Sequence, residues 1–243
     1  MPCVKICDIS KSMDQLFTLD NISFTVDNHE FVVILGTSGC GKSTLLNIIA
    51  GLIPPDRGRI EIDGEDWTGR TGRISYMQQK SLLLPHKNIL DNVAIPLLLK
   101  GMARKKAHEI ARQHLKDFGL EGFENYYPQQ LSGGMKQRAA LLRTYLFTSD
   151  IMLFDEPFAG LDAITRRKMQ LWLKELWQNY RPSVLFVTHD IDEALLLADT
   201  IYVLSPRPAK VQLKINTISL QDNSLETEAK KQEILSLLEN KNL

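Results

Sequence analysis

Gly36-Thr37-Ser38-Gly39-Cys40-Gly41-Lys42-Ser43 has the spacing G-x-x-x-x-G-K-[ST] and follows directly on the apolar run Phe31-Val32-Val33-Ile34-Leu35. The chemistry this permits is the holding of a polyphosphate. Gly36, Gly39 and Gly41 let the backbone bend until successive N–H groups point inward, and a helix from about Lys42 turns its positive dipole end toward the phosphates. Lys42 suits the β- and γ-phosphates, and the Ser43 hydroxyl suits Mg2+. A chance glycine-rich turn would require neither a lysine nor a hydroxyl at those two positions. The apolar helix Leu45-Leu46-Asn47-Ile48-Ile49-Ala50 completes the strand, loop and helix context that the motif needs.

Two further segments could act on a held phosphate. Ile151-Met152-Leu153-Phe154-Asp155-Glu156 ends four apolar residues with two carboxylates, at the carboxyl end of a buried strand, where open α/β sheets hold their ligands. Asp155 suits Mg2+ through a water, and Glu156 suits polarising the water that attacks the γ-phosphate. Leu131-Ser132-Gly133-Gly134-Met135-Lys136-Gln137-Arg138 opens an amphipathic run through Phe147, with Ser132 as N-cap and the first amides exposed beside Gly133 and Gly134. This is a second helix start suited to an anion. One chain rarely needs two, so the second is most simply explained if it closes over the nucleotide of another copy.

The elements that position these groups follow from pattern. Ile22 to Val26 alternates with period two, and Asp27 to Glu30 turns into the strand at Phe31, which predicts a hairpin. Arg59 to Gly64 alternates again. Asn88 to Lys100 and Ala103 to Phe118 read as helices, the second with Ala107, Ile110, Ala111, His114, Leu115 and Phe118 on one face and Gly119 as its cap. After the strand at Asp150 to Phe154 come a helix over Thr165 to Tyr180, a strand at Ser183 to Thr188, a helix over Ile191 to Ala198 and a strand at Ile201 to Leu204. This alternation implies an α/β fold with a mainly parallel sheet. Helices between about 80 and 145 interrupt it as an inserted lobe, and 216–243 reads as a polar tail able to form a short helix.

Composition narrows the classes. The 243 residues carry 44% hydrophobic and 24% charged side chains, as an ordinary globular chain does. Lys+Arg and Asp+Glu both count 29, so no global field recruits nucleic acid or anionic lipid. No stretch approaches the roughly 18 apolar residues of a spanning helix, and no signal peptide opens the chain, so a cytoplasmic location is expected. Cys3 and Cys7 lack a second Cys or His cluster to complete a zinc site.

In order along the chain stand the Walker A loop Gly36 to Thr44, Gln79, the signature Leu131 to Met135, the Walker B strand ending Asp155-Glu156, Ala159-Gly160-Leu161-Asp162, and His189 in Val187-Thr188-His189-Asp190. With these the chain resembles the nucleotide-binding subunit of an ATP-binding cassette (ABC) transporter, over roughly residues 2 to 212. Leu83-Leu84-Pro85, Gly134-Met135-Lys136-Gln137-Arg138 and Leu204-Ser205-Pro206-Arg207-Pro208 narrow the likeness to the importer branch for nitrate, sulfonate, taurine and related anions.

The resemblance implies a P-loop NTPase core with an N-terminal antiparallel β subdomain, spanning residues 1–215. It implies Mg2+-dependent ATP hydrolysis by two copies at the cytoplasmic face of the membrane, with permease subunits and, indirectly, an extracytoplasmic solute-binding protein as partners. Gln79 would reach Mg2+ and the attacking water, His189 would contact the γ-phosphate and Glu156, and Asp162 would lie between cassettes, cap a helix, or do both. The stretch Leu82 to Leu99 would grip the permease or serve as core. Met135 stands where the family most often has Gln, and His86 where the branch commonly has Trp. Met13 stands 23 positions before Gly36, where an adenine-stacking ring is usual; whether Phe17 takes that task stays open. A soluble cassette acting as an assembly partner is the alternative; the gap from Gly41 to Leu131 holds no sustained heptads of the repair type.

Overall fold

Strands with one buried face alternate, whereas strands covered on both faces are apolar throughout, and in this chain the fully buried strands all fall in one sheet. The computed structural model describes residues 3–13, 16–147, 150–217 and 224–239 and divides into two compact units, residues 1–73 with 181–243 and residues 74–180. The first unit opens with β1 (Val4–Met13), β2 (Leu16–Val26), β3 (Phe31–Leu35), α1 (Lys42–Ile49), β4 (Arg57–Ile62) and β5 (Glu65–Asp66). The second contains β6 (Ser75–Met77), α2 (Ile89–Leu99), α3 (Arg104–Leu115), α4 (Gly133–Tyr145), β7 (Ile151–Asp155) and α5 (Ala163–Tyr180). The chain then returns to the first with β8 (Ser183–Thr188), α6 (Ile191–Leu197), β9 (Thr200–Leu204), β10 (Val211–Asn216) and α7 (Ser224–Glu239).

In the first unit β2-β1-β4-β5 form an antiparallel sheet, and β3 lies between β8 and β9, parallel to both, with β10 antiparallel beyond β9. This corrects the expected hairpin. β2 pairs along β1, Val26 facing Val4, and β3 joins the other sheet. The reason lies in burial: all five residues of β3 are buried, which a two-stranded ribbon with a wet face could not achieve. β1 itself escapes a period-two reading because its register shifts beyond Ile6 and again beyond Cys7, and Asp8 takes φ +52. Phe31 and Phe186 meet at 5.8 Å between centroids in the core, and each such buried ring contributes about 1.5–3 kcal/mol of burial. In α7, Ile234 is buried and Lys231 pairs with Asp192 of α6 at 2.5 Å.

In the second unit β6 and β7 run parallel. The Asn88 Oδ1 caps α2 by accepting from the Asp91 N–H at 2.7 Å. Ile89, Leu90, Val93, Ala94 and Leu97 of α2 are buried, while Leu82 and Leu99 are exposed. Most of the apolar density from 82 to 99 is therefore core. The α3 helix stops at Leu115, short of the expected Phe118, yet Phe118 stays buried among Tyr145, Trp172 and Tyr180.

Candidate nucleotide site

In the first unit the registers place three connections at one sheet edge. Leu35 of β3 faces Thr188 of β8 and Val203 of β9, so Gly36 and His189 leave the sheet at the level of Leu204, the last residue of β9. Beyond Leu35 the chain bends until α1 starts at Lys42, with Gly41 at φ +123 as its N-cap. A Cβ on Gly41 would come within 2.9 Å of Leu19 Cδ2 and 3.0 Å of Thr18 Cγ2, so neither backbone angle nor space admits another residue. No acid stands in the first turn of α1 and no side chain caps it, so its positive end suits an anion. Thr37 and Thr44 are half-buried, whereas Ser38, Gly39 and Ser43 are exposed. Lys42 is only 4% exposed; its Nζ donates to the Gly36 carbonyl at 2.9 Å and the Thr37 carbonyl at 3.0 Å. The lysine thus shapes the loop from within.

Cys40 is 2% exposed. Burial pushes its thiol above the ordinary range, and the Lys42 charge only partly offsets this. Thiolate is the reactive form, so N-ethylmaleimide should label Cys40 roughly tenfold or more slowly than the half-buried Cys7. Labelling should quicken as pH rises and slow further with ATP, read by peptide mass spectrometry. Equal rates at the two cysteines, indifferent to ATP, would contradict this placement. Phe17 is exposed and paired across from Ser12, and Met13 is also exposed. The neighbouring Thr18 and Leu19 close on Gly41.

In the second unit Met77 of β6 faces Phe154 of β7, so Gln79 leaves at the level where Asp155 and Glu156 end their strand. Asp155 is buried, and the Tyr76 hydroxyl lies 3.4 Å from its Oδ2. Burial raises the Tyr76 hydroxyl far above its usual range, and the carboxylate adds to it, so Tyr76 stays a donor. Glu156 takes φ +44, a left-handed conformation that costs a residue with a Cβ about 1–2 kcal/mol, and its carbonyl accepts from the Ala159 N–H at 3.0 Å. At α4 the Ser132 hydroxyl accepts from the Met135 N–H at 3.3 Å, and again no acid stands in the first turn. Ser132 and Gly133 are exposed. Gly134 is buried because α5 crosses there: a Cβ would lie 3.1 Å from Thr165 Cγ2. Asp162 caps α5 through its Oδ1 and the Thr165 N–H at 3.0 Å, and the bonds from Thr165 hold its carboxyl below the usual range.

Each unit thus gathers its own set. The first holds Gly36 through Thr44 beside His189, and the second holds Gln79 with Asp155 and Glu156, plus the Ser132 helix start. Three residues escaped the sequence reading: Tyr76 and Arg143 act through long-range bonds that no local spacing signals, and Asn92 through bonds back to the loop just before its helix.

The ABC transporter family matches residues 19–159. A taurine import ATP-binding protein of Escherichia coli is 45% identical over 193 residues, covering 79% of this chain and 76% of the relative. A formylaminopyrimidine import ATP-binding protein of Halalkalibacterium halodurans is 45% identical over 190 residues, covering 78% and 74%. Among solved structures, a dimeric ATP-binding cassette in a post-hydrolysis state, bound to ADP and Pi, superposes with a TM-score of 0.75 at 32% identity, covering 88% of this chain and 98% of the other.

Proposed function

The chain belongs to the ABC transporter family, and from that membership we propose that two copies clasp two ATP molecules and that their closure drives a membrane importer. The chain hydrolyses ATP. One observation carries the two-copy reading: two helix starts, α1 after Gly41 and α4 at Gly133 and Gly134, combine glycine with the absence of an acid in the first turn. The backbone from Gly36 to Thr44, with Thr37, Ser38 and Cys40 at its bend, would receive the phosphates of one ATP. Ser132, Gly133 and Gly134 of the second copy would close over it.

Lys42 neutralises charge that develops on the γ-phosphate, and Glu156 orients and deprotonates the attacking water. His189 contacts the γ-phosphate, Gln79 senses it, and Asp162 caps its helix at the boundary between copies. The Ser43 hydroxyl, the Asp155 carboxylate and the Gln79 amide are hard oxygen donors that suit Mg2+ and would hold it, Asp155 through a water. When bound, that ion supplies charge neutralisation between phosphates.

The two import relatives are named for different solutes at the same identity. The ATPase half therefore does not read the cargo, which we assign to the class of taurine, sulfonate, nitrate or a related small solute, selected by an extracytoplasmic binding protein. No helix among the described residues is long and apolar enough to cross a membrane. We place the chain at the cytoplasmic face, against permease subunits, with exposed Leu82 in the contact.

Complementation tests the shared site. A Ser132→Arg chain lacks a lid and a Lys42→Ala chain lacks a seat, so each alone should be inactive. Mixed, they form a dimer with one intact combination, and turnover should recover to about a quarter of the parental rate, following binomial mixing and one working site of two. Turnover of the parental chain should also rise more steeply than linearly with its concentration. Linear dependence together with no recovery on mixing would remove the two-copy reading.

A further inference from the structure

The segment that follows Gln79 is fastened from two helices. From the last turn of α4, Arg143 donates through Nη1 to the Leu82 carbonyl and through Nη2 to the Ser81 carbonyl, both at 2.7 Å. From α2, the fully buried Asn92 accepts the Leu84 N–H at its Oδ1 (2.7 Å), while its Nδ2 lies 3.1 Å from the Leu84 carbonyl and 2.9 Å from the Lys87 carbonyl. Between these grips Leu82 takes φ +45 with its side chain exposed. A residue with a Cβ does not rest there unaided, since the left-handed conformation costs about 1–2 kcal/mol. The two charge-assisted bonds from Arg143 are what stands against relaxation. Arg143 is half-buried, and burial lowers its guanidinium below the ordinary range.

The same helix begins at the Ser132 cap. Thirteen helical residues make a rod about 20 Å long, with the anion-ready start at one end and Arg143 at the other. We infer that Arg143 is a positioning residue for ATP turnover: from the far end of the signature helix it fixes Ser81 and Leu82, and through them the placement of Gln79 beside the Asp155 edge. The inference rests on the roles proposed above for Gln79 and Ser132. The residue touches neither nucleotide nor water, so removing it slows the chemical step and leaves the seat for ATP in the other unit as it was.

The test uses the full chain with four variants, measuring kcat, KM for ATP and thermal midpoint. Arg143→Gln should lower kcat about tenfold, the equivalent of one net hydrogen bond, with KM for ATP within about twofold. Adding Leu82→Gly should restore several-fold of the loss, because glycine adopts the left-handed angle without the arginine's help. Should Arg143→Gln not fold, Arg143→Lys keeps the charge but has no fork to bridge two carbonyls, and it should show the same split in milder form. An unchanged kcat, or a fall in kcat matched by lost thermal stability and not relieved by Leu82→Gly, would overturn the inference. Gln79→Ala separates the levels. If it lowers kcat while Arg143→Gln does not, only the inference falls; if it leaves kcat intact, the role of Gln79 falls and the positioning role with it.

Discussion

Glu156→Gln should lower steady-state ATP turnover by about 100-fold to 10,000-fold, the span that a positioned general base supplies, while ATP stays bound and the protein elutes as a dimer. The substitution changes one oxygen to an amide nitrogen and leaves size and shape alone. It removes the group that takes the proton of the attacking water without disturbing the buried Asp155 before it or the loop that holds phosphates. The backbone argues for fixed aim at this position. Glu156 sits at φ +44, anchored by the Ala159 N–H, so its carboxylate is directed by a turn that does not depend on the side chain. Phosphate release and gel filtration in ATP read the two halves of the expectation. A Glu156→Gln chain that turns over at the parental rate would show that the base lies elsewhere.

Lys42→Ala should instead abolish capture. The ammonium makes charge-assisted contacts worth about 1.5–3 kcal/mol each, and losing one or two to phosphate weakens ATP binding by about tenfold or more. The loop suffers as well, because the Gly36 and Thr37 carbonyls lose the donor that draws them together at 2.9 and 3.0 Å. Equilibrium dialysis with labelled ATP measures this directly. The pair is informative by contrast: one variant should hold ATP without spending it, the other should not hold it. Affinity within threefold of the parent in Lys42→Ala would refute the assignment of the seat.

The parts of this site that are local in sequence could be read before any fold was known. The phosphate loop needs only a strand, glycines and a helix start in succession, and Ser132 signals its cap by standing before a helical run. The paired acids at 155 and 156 announce themselves by ending an apolar strand. What escaped depends on partners far along the chain. Arg143 reads as one more charge on an amphipathic helix, because nothing near it in sequence reveals carbonyls 61 and 62 positions away. Strand pairing failed for the same reason: the short turn at Asp27 to Glu30 is a plausible hairpin, and only the coverage of both faces of β3 sends that strand to β8 and β9. His189 is legible only through its place in the motif series, in Val187-Thr188-His189-Asp190. Its place beside the phosphate loop follows from Leu35 and Thr188 being opposite one another.

That alignment limits where the polypeptide tolerates a change of length. Adding one residue within β3, β8 or β9 displaces everything downstream by about 3.3 Å and swaps the two faces, so whatever follows the strand is both mistimed and misdirected. Extra residues entering ahead of these strands, at the exposed Asn28 or Arg181, can be absorbed as slack before the alignment begins. Natural insertions in this unit, and engineered tags or reporter loops, therefore belong at the amino ends of β3 and β8, and the opposite ends should keep their count.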